Sequence, residues 1–226
     1  MSLKFIRPHV VFNLIDQAED CFNEMRLVVP NRHTYTGGSP TLLEKALIYA
    51  LMKYANPKRI FEFGTYVGAT TRLFHDNSQA QIYTIDIGNL TQEILDKEVN
   101  HADIELIKKT QAAGSNHIKG LDRITKILCD STQYDYSQLP TFDFIWIDGG
   151  HDLFVAKPDT EHAYQILDKT NPNACVAWHD YNSDLYPELT QYINEIANDR
   201  DIFYIEGTML CFALPNQAVD LPSSLY

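Results

Sequence analysis

Residues 59–71 read Arg-Ile-Phe-Glu-Phe-Gly-Thr-Tyr-Val-Gly-Ala-Thr-Thr and carry the clearest structural signal in the chain. The apolar run at 60–63 lies between Pro57 and Gly64, which predicts a short strand buried on both faces. Gly64 and Gly68 permit a tight turn into a following helix, whose first amides point back at the turn. Ligands of open α/β sheets bind at this end of a strand, so the stretch predicts a ligand-binding loop.

The residue types in this loop narrow the choice of ligand. Glu62 places a carboxylate beside the loop, which suits a cationic amine or hydroxyl groups better than a pyrophosphate. Tyr66 stands where the dinucleotide fingerprint G-x-G-x-x-G has its second glycine, which counts against NAD or FAD and disfavours a dehydrogenase. We therefore predict cofactor contacts from the loop residues Glu62, Gly64, Thr65, Tyr66 and Gly68.

The next two predicted strands also end at polar residues. Asp86 closes the strand over 81–87, about twenty positions after the glycine loop, where α/β nucleotide sites hold ribose hydroxyls. The strand over 124–129 ends at Asp130 and Ser131. In one interpretation these residues bind an adenine edge, and in the other Asp130 caps the turn that follows. The sequence supports the two interpretations equally.

Two later strands, predicted over 142–147 and 174–178, run directly into polar residues. The first is followed by Asp-Gly-Gly-His at 148–151 and the second by His-Asp-Tyr at 179–181. Because the carboxyl ends of parallel strands meet at one edge of a sheet, these polar groups are predicted to face the same crevice as the glycine loop. Both aspartates also suit turn and cap positions, which is the purely structural alternative.

Five strand–helix alternations, followed by an antiparallel pair over 202–205 and 209–214, predict an α/β fold. We expect a Rossmann-like, doubly wound sheet of seven strands, mostly parallel, that ends in a C-terminal antiparallel hairpin. The chain of 226 residues is long enough to bury one full core, which favours a single main domain. The predicted organisation is an N-terminal accessory helix and lid loop at 1–40, the main domain at 41–214 and a C-terminal tail at 215–226.

The N-terminal region contributes a helix, a loop and a capping motif. Apolar residues at helical spacing over 10–26 predict the accessory helix. The loop before the next helix contains His33 and Tyr35, which suit a lid over the cofactor, although the interpretation as solvated loop residues is favoured. The next helix has a capping-box pattern from Thr41 to Glu44.

The composition argues against several classes of partner. A formal net charge of −12 disfavours sequence-independent nucleic-acid binding and docking on anionic lipid, since both need basic faces. No apolar run reaches membrane-spanning length, and the N-terminus lacks a signal-peptide pattern. Cys21, Cys129, Cys175 and Cys211 show no C-x-x-C spacing and are predicted to be reduced core thiols. A cytoplasmic protein is therefore expected, and a homo-oligomer is compatible with the sequence.

From Ser39 to Leu214 the chain resembles a class I S-adenosylmethionine-dependent methyltransferase. Its glycine loop is similar to that of the metal-dependent O-methyltransferases of the catechol and caffeoyl type. The combination of this loop with Asp86, Asp148 and Asp180 at strand ends makes the likeness specific. The resemblance implies S-adenosyl-L-methionine (SAM) as cofactor, bound by the loop residues together with Asp86, Asp130, Ser131 and Asp148.

The Asp-Gly-Gly-His motif most resembles the macrocin and mycinamicin sugar O-methyltransferases and the related cephalosporin-hydroxylase-like proteins. In that family the first Asp binds magnesium and the His is the general base, which implies these roles for Asp148 and His151. Asp180 matches the acidic ligand of the second motif. His179 stands where another carboxylate is usual, and Tyr181 where catechol-type relatives have Asn. The implied metal ligands are Asp148, His179 and Asp180; magnesium is expected, while a histidine ligand shifts the preference toward manganese, iron or zinc.

The resemblance implies methyl transfer to a hydroxyl of a small molecule or glycoside, for example a sugar hydroxyl or a vicinal diol. Such a transfer is an in-line displacement, so the protein mainly has to place the acceptor oxygen behind the methyl carbon. A bound divalent ion lowers the pKa of a coordinated oxygen, and a histidine with an ordinary pKa of about 6.5 accepts a proton near neutrality. Two alternatives stay open: a metal-independent transfer that uses His151 alone, and a SAM-binding protein of the same fold without turnover.

Overall fold

An eight-stranded sheet forms the centre of the computed structural model, which describes residues 3–18, 26–29, 38–88, 90–97 and 99–216. The strands in chain order are β1 (Lys4–Ile6), β2 (Arg59–Phe63), β3 (Gln81–Asp86), β4 (Ile124–Leu128), β5 (Phe144–Ile147), β6 (Cys175–Trp178), β7 (Ile202–Ile205) and β8 (Cys211–Ala213). Their order across the sheet is β1-β7-β8-β6-β5-β2-β3-β4. Neighbours are parallel except at β8, which lies antiparallel between β6 and β7. The sheet is therefore mostly parallel and carries an antiparallel pair at the C-terminal end.

The sheet has one strand more than the seven that the sequence predicts. The additional strand is β1, which pairs in parallel with β7 and places Lys4 beside Phe203 and Ile6 beside Ile205. A run of three residues is too short to show the alternation by which a strand is recognised in sequence. Part of the N-terminal region thus belongs to the sheet, in addition to the predicted helix.

Helices cover both faces of the sheet. In chain order they are α1 (Pro8–Ala18), α2 (Leu42–Ala55), α3 (Ala69–Asn77), α4 (Gln92–Leu95), α5 (His101–Ala113), α6 (Leu153–Ile166) and α7 (Pro187–Ile196). Side chains of α1, α2 and α3 share one apolar core with the sheet, and side chains of α6 and α7 share the core on the opposite face. This two-sided cover agrees with the doubly wound arrangement predicted from the sequence.

Some predicted boundaries differ from the observed ones. The helical region predicted over 91–113 consists of the separate helices α4 and α5. The predicted accessory helix begins at Pro8, earlier than expected, and its described part ends at Ala18. His33 and Tyr35 of the predicted lid, like the tail from residue 217 onward, lie outside the described residues.

The predicted capping box begins α2. The backbone amide of Glu44 donates to Thr41 Oγ1 at 3.3 Å, and the amide of Thr41 donates to Glu44 Oε2 at 2.7 Å. These bonds satisfy two amides that the helix itself leaves without partners. The amide of Met209 donates to the other oxygen of Glu44 at 2.8 Å. The start of α2 is therefore fixed to the connection between β7 and β8.

The cysteines and the helices agree with the expectations from composition where the structure describes them. Cys175 and Cys211 are buried free thiols and Cys129 is a half-buried one, whereas Cys21 lies outside the described residues. Among the described helices, none combines the length and the apolar composition that a membrane span requires.

Candidate active site

A cavity of about 540 Å³ opens at the edge of the sheet where the parallel strands β2 to β6 end. All of the site residues predicted from the sequence line it, except Glu62 and Gly68. Gly38 and Ser39, at the end of the predicted lid loop, also contribute to its wall. Its volume falls in the range of small-molecule binding sites. One cavity thus unites the predicted cofactor loop with the predicted metal and base residues.

The glycine loop is shaped by packing inside the protein. Gly64 has a φ of +89°, and a Cβ at this position would lie 2.1 Å from the carbonyl oxygen of Asp148. Gly68 has a φ of +85° and precedes α3, where a Cβ would meet Ile118 at 2.9 Å. Ile118 fills the space beside Gly68, and Gly68 is not among the residues that line the cavity, so its predicted contact with the cofactor stays a prediction. Gly64 both lines the cavity and lets β2 and β5 approach each other.

Glu62 does not reach the cavity, which corrects its assignment as a cofactor contact. Its side chain is fully buried and accepts a hydrogen bond from Thr71 Oγ1 of α3 at 2.5 Å. The other carboxyl oxygen has no hydrogen-bond partner among the described residues. Burial raises the pKa of Glu62 to about 8, although the hydroxyls of Thr71 and Thr84 oppose the shift. Glu62 points to the helix side of β2, and its raised pKa favours the protonated carboxyl at neutral pH.

Asp86 lies at the predicted place and is held by the glycine loop. Its Oδ2 accepts from the backbone amide of Tyr66 at 2.9 Å, and its Oδ1 accepts from the amide of Ile87 at 2.8 Å. Tyr66 adopts a φ of +49°, a left-handed conformation that is uncommon for a residue other than glycine. The side chain that the sequence predicts for ribose hydroxyls is therefore fixed relative to the loop, with its carboxylate in the cavity wall.

Asp130 adopts the capping role that the sequence left open. Its Oδ1 accepts from the amide of Thr132 at 2.9 Å and from the Thr132 hydroxyl at 2.7 Å. Its other oxygen lies 3.8 Å from Lys97 Nζ. Asp130 and Ser131 both line the cavity, so the cap does not exclude an additional contact with an adenine edge. That contact stays a prediction.

Two carboxylates and an imidazole converge where β5 and β6 end. Ligand atoms of Asp148, His179 and Asp180 all lie within 4.8 Å of one another. His179 Nδ1 is 2.9 Å from Asp180 Oδ2 and 3.5 Å from Asp148 Oδ1. The indole N–H of Trp146 donates to the other oxygen of Asp148 at 3.3 Å. Asp180 has a φ of +60°, so the backbone turns sharply here and directs its side chain toward the other two groups.

His151 bridges this cluster and a second acidic residue. Its Nε2 donates to Asp180 Oδ2 at 2.9 Å, and its Nδ1 donates to Asp103 Oδ1 at 2.8 Å. Its backbone amide donates to Asp103 Oδ2 at 2.9 Å. The ring of Tyr186 stacks on the imidazole at 3.8 Å with an interplanar angle of 8°, and the Tyr186 hydroxyl donates to Asp103 at 3.0 Å. The orientation of His151 is therefore fixed on three sides.

The family model described as "Methyltransferase domain" matches residues 61–181, which is more than half of the 226-residue chain. The matched range begins in β2 and ends just beyond β6, so it includes the glycine loop and both polar strand ends. The chain belongs to this methyltransferase family. No curated protein sequence matches this methyltransferase.

Solved structures share its fold at low sequence identity. The methyltransferase PaMTH1 of Podospora anserina, solved with S-adenosylhomocysteine (SAH), has a TM-score of 0.56 at 14% identity, over 92% of this chain and 88% of that one. The O-methyltransferase TomG of Streptomyces achromogenes, involved in tomaymycin synthesis and solved with SAM, has a TM-score of 0.50 at 14% identity, over 92% and 90%. At these identities the likeness shows the common fold.

Electrostatics at the strand ends of the methyltransferase favour two charged imidazoles. Burial alone would lower the pKa of His151, but its hydrogen bonds to Asp103 and Asp180 outweigh burial and raise the pKa to about 10. Burial also disfavours the charged form of His179, but the carboxylates of Asp148, Asp180 and Glu44 favour it more strongly. The pKa of His179 therefore lies well above its ordinary value. The ordinary pKa of about 6.5 expected for His151 from the sequence is therefore wrong for this arrangement. Burial raises the pKa of Asp180, but bonds from both imidazoles lower it overall.

Three residues of the methyltransferase site were not predicted from the sequence. Asp103 and Tyr186 come from the start of α5 and the residue before α7, far from His151 in sequence. Asp159 of α6 lines the cavity but is almost fully buried, and neither of its carboxyl oxygens has a partner among the described residues. Burial raises its pKa to about 7. A carboxylate on an otherwise buried helix face was the one signal that the sequence offered for Asp159.

Proposed function

We propose that this methyltransferase transfers the methyl group of SAM to a hydroxyl oxygen of a small-molecule or glycoside acceptor, with His151 as general base and with a divalent ion at Asp148, His179 and Asp180. One observation carries the proposal: the glycine loop with Asp86 and the carboxylate–imidazole cluster line the same cavity. A sugar or other vicinal diol fits such a cluster, because two neighbouring oxygens chelate a hard cation. The macrocin and mycinamicin resemblance supports the same acceptor class.

The donor site rests on the loop and on the fold relatives. PaMTH1 was solved with SAH and TomG with SAM, and both share the fold of this chain. Asp86 offers its carboxylate at the end of β3, where α/β nucleotide sites bind ribose hydroxyls. The Tyr66 amide donates to this carboxylate at 2.9 Å, and Tyr66 also lines the cavity. A carboxylate at this position suits an adenosine-containing donor such as SAM.

The residues at the metal position suit a divalent cation by their chemistry. Two carboxylates and one imidazole whose ligand atoms lie within 4.8 Å match the mixed oxygen and nitrogen donors that manganese, iron or zinc accept. Magnesium, the ion expected from the family, prefers oxygen alone and would use the two carboxylates. When bound, the ion would supply Lewis-acid polarisation of the acceptor hydroxyl.

The proton has a defined route on this chain. In the transfer, the acceptor oxygen bonds to the methyl carbon while the carbon–sulfur bond breaks, and the hydroxyl proton passes to His151 Nε2. His151 Nε2 donates to Asp180 in this structure, so His151 acts as a base only after this proton has passed to the solvent. Asp103 and Tyr186 hold the opposite edge and the face of the ring, which keeps Nε2 directed into the cavity.

A metal-independent transfer is a second candidate, and one contact favours it. The pKa of His179 is raised well above its ordinary value, and its Nδ1 lies 2.9 Å from Asp180 and 3.5 Å from Asp148. An imidazolium at this position balances part of the carboxylate charge without an ion. Activity that survives a chelator would favour this candidate over the metal-assisted one.

The donor assignment is tested by calorimetric titration of the purified chain with SAH. We expect micromolar binding, and Asp86→Asn is expected to weaken it about tenfold or more because a charge-assisted hydrogen bond is lost. Asp122→Asn is the matched control, since the Asp122 side chain is exposed at 82% and lies outside the cavity. Absence of SAH binding in the wild-type chain would rule out the proposed donor.

The metal assignment is tested by titrating the metal-free chain with Mn²⁺ and Mg²⁺. Asp148→Asn removes one charged ligand and is expected to lower the affinity for Mn²⁺ at least tenfold. Asp122→Asn again serves as the charge-matched control outside the site. Equal Mn²⁺ affinity in wild type and Asp148→Asn would show that the ion binds elsewhere.

A further inference from the structure

Glu44 reaches the metal position from a part of the chain that the functional motifs do not include. It lies in the first turn of α2 and its side chain is only 2% exposed. Both carboxyl oxygens are fixed by backbone amides, Oε1 by Met209 at 2.8 Å and Oε2 by Thr41 at 2.7 Å. A long acidic side chain held on both oxygens has little freedom to move. Glu44 therefore presents a negative charge at a defined point.

That point lies behind the imidazole of His179. His179 Nε2 is 3.7 Å from Glu44 Oε2, whereas Nδ1 faces Asp180 and Asp148. The separation of 3.7 Å exceeds a hydrogen bond, and Nε2 has no hydrogen-bond partner among the described residues. The contact is therefore an ion pair between a buried carboxylate and a buried ring. The two nitrogens of His179 face carboxylates on opposite sides.

The ring of His179 is confined on a further side by Trp146, whose ring centroid lies 5.8 Å away at an angle of 48°. A flip of the imidazole would exchange Nδ1 and Nε2 between Glu44 and the Asp148–Asp180 pair. Glu44 favours the orientation in which Nε2 carries a proton, because a carboxylate attracts an N–H and repels a lone pair. When a cation binds, Nδ1 gives up its proton to the solvent while Nε2 keeps its own beside Glu44, so Nδ1 is the nitrogen that binds the cation.

We propose that Glu44 is a positioning residue of the metal site, which holds the Nε2–H side of His179 so that Nδ1 faces the ion. The inference rests on the proposed function, because it requires a cation at Asp148, His179 and Asp180. Metal-binding histidines usually give their second N–H to a carboxylate or carbonyl, and loss of that partner weakens metal binding about 10- to 100-fold. In the family that the chain resembles, a carboxylate usually stands at the position of His179. The carboxylate of Glu44 supplies the negative charge that the site lacks because of this histidine.

Substitutions in the capping box of α2 distinguish the effect of the Glu44 charge on metal binding from the structural role of Glu44 at the start of the helix. Glu44→Gln removes the charge and keeps a side chain that suits a capping box, but its NH2 group cannot accept from one of the amides of Thr41 and Met209, so its melting temperature is compared with that of Thr41→Ala. Thr41→Ala removes the capping hydroxyl and leaves the carboxylate in place. Glu44→Asp keeps the charge on a side chain shorter by one methylene. Each variant is titrated with Mn²⁺ and Zn²⁺ at one pH, and its melting temperature and SAH affinity are recorded.

Glu44→Gln is expected to bind Mn²⁺ and Zn²⁺ about tenfold more weakly than wild type, at the low end of the range for such partners because the contact is 3.7 Å long, with unchanged SAH affinity. Glu44→Asp is expected to bind them more tightly than Glu44→Gln, and Thr41→Ala to melt earlier while retaining wild-type metal affinity. Unchanged or tighter metal binding in Glu44→Gln, or an equal loss in Thr41→Ala, would overturn the role of Glu44. Absence of metal binding in the wild-type chain would overturn the metal site itself, while SAH binding would still report on the donor.

Discussion

Gly64→Ala is expected to lower the free energy of unfolding by about 4 kcal/mol. A Cβ at this position would lie 2.1 Å from the carbonyl oxygen of Asp148, which is far inside the contact distance. Overpacking typically costs about 1–3 kcal/mol or more, and a left-handed φ adds about 1–2 kcal/mol for any residue with a Cβ. The φ of Gly64 is +89°, so both contributions apply.

The backbone around Gly64 has no room to relax. The amide of Gly64 donates to the carbonyl of Ile85 at 2.9 Å, and the amide of Asp148 donates to the carbonyl of Phe63 at 2.9 Å. Moving either strand end to admit a methyl group would break hydrogen bonds that join β2 to β3 and to β5. The same movement would displace Asp148 from His179 and Asp180. We therefore expect Gly64→Ala to lose Mn²⁺ and SAH binding together with stability.

Gly207→Ala provides the matched control for this substitution. Gly207 lies in the turn between β7 and β8 with a φ of +77°, and a Cβ there would meet nothing within 4 Å. Only the conformational penalty applies, so we expect a loss of about 1 kcal/mol. Urea denaturation of the three proteins measures the difference. Similar losses for both variants would mean that the close approach to Asp148 has no energetic weight.

The sequence allowed the active-site edge of the sheet to be predicted because its signals are local. Apolar runs that stop at polar residues mark strand ends, and parallel strands bring those ends together. Asp86, Asp148, His151 and Asp180 could therefore be assigned to one crevice without any knowledge of distances. The strand β1 could not, because its three residues form a strand only through pairing with β7.

The residues that contact His151 and His179 from other helices could not be predicted from sequence patterns. Asp103 and Tyr186 contact His151 from α5 and from the start of α7, and no spacing rule connects such positions. Glu44 was recognised as a helix cap, which it is, but its approach to His179 depends on how α2 packs against β6. Glu62 was misassigned because a strand residue next to a ligand loop has two directions to point in, and the pattern of an all-buried strand does not distinguish them.

The second large expected effect is a change in stability, and it follows from the burial of the Glu62 side chain. Glu62→Gln is expected to stabilise the protein by about 3 kcal/mol at pH 7. The pKa of Glu62 is raised from 4.5 to about 8 by burial, so folding at neutral pH requires the carboxyl to take up a proton. Each pKa unit corresponds to about 1.4 kcal/mol, and the interval from pH 4.5 to pH 7 sets the size of this cost. A glutamine of the same shape carries no such cost.

The sign of the pH dependence follows from the raised pKa. Below pH 4.5 the carboxyl is protonated in both the folded and the unfolded chain, so Glu62 does not oppose folding. As the pH rises toward 8, the unfolded chain loses the proton that the folded chain retains, and stability falls. Glu62→Gln is therefore expected to match the wild type near pH 4.5 and to exceed it increasingly up to about pH 8, which urea denaturation over this range measures.

Glu206→Gln is the control for this experiment, because Glu206 is exposed in the turn after β7 and the same substitution there removes a carboxylate without changing the buried site. SAH affinity provides an independent check on where Glu62 points. A carboxylate in contact with the cofactor would make Glu62→Gln bind SAH more weakly, whereas a side chain bonded to Thr71 behind the loop predicts binding within about twofold of wild type. A gain in stability at pH 7 together with unchanged SAH binding would show that Glu62 affects the stability of the fold and does not contact the cofactor. A loss of SAH binding would show that Glu62 contributes to the donor site.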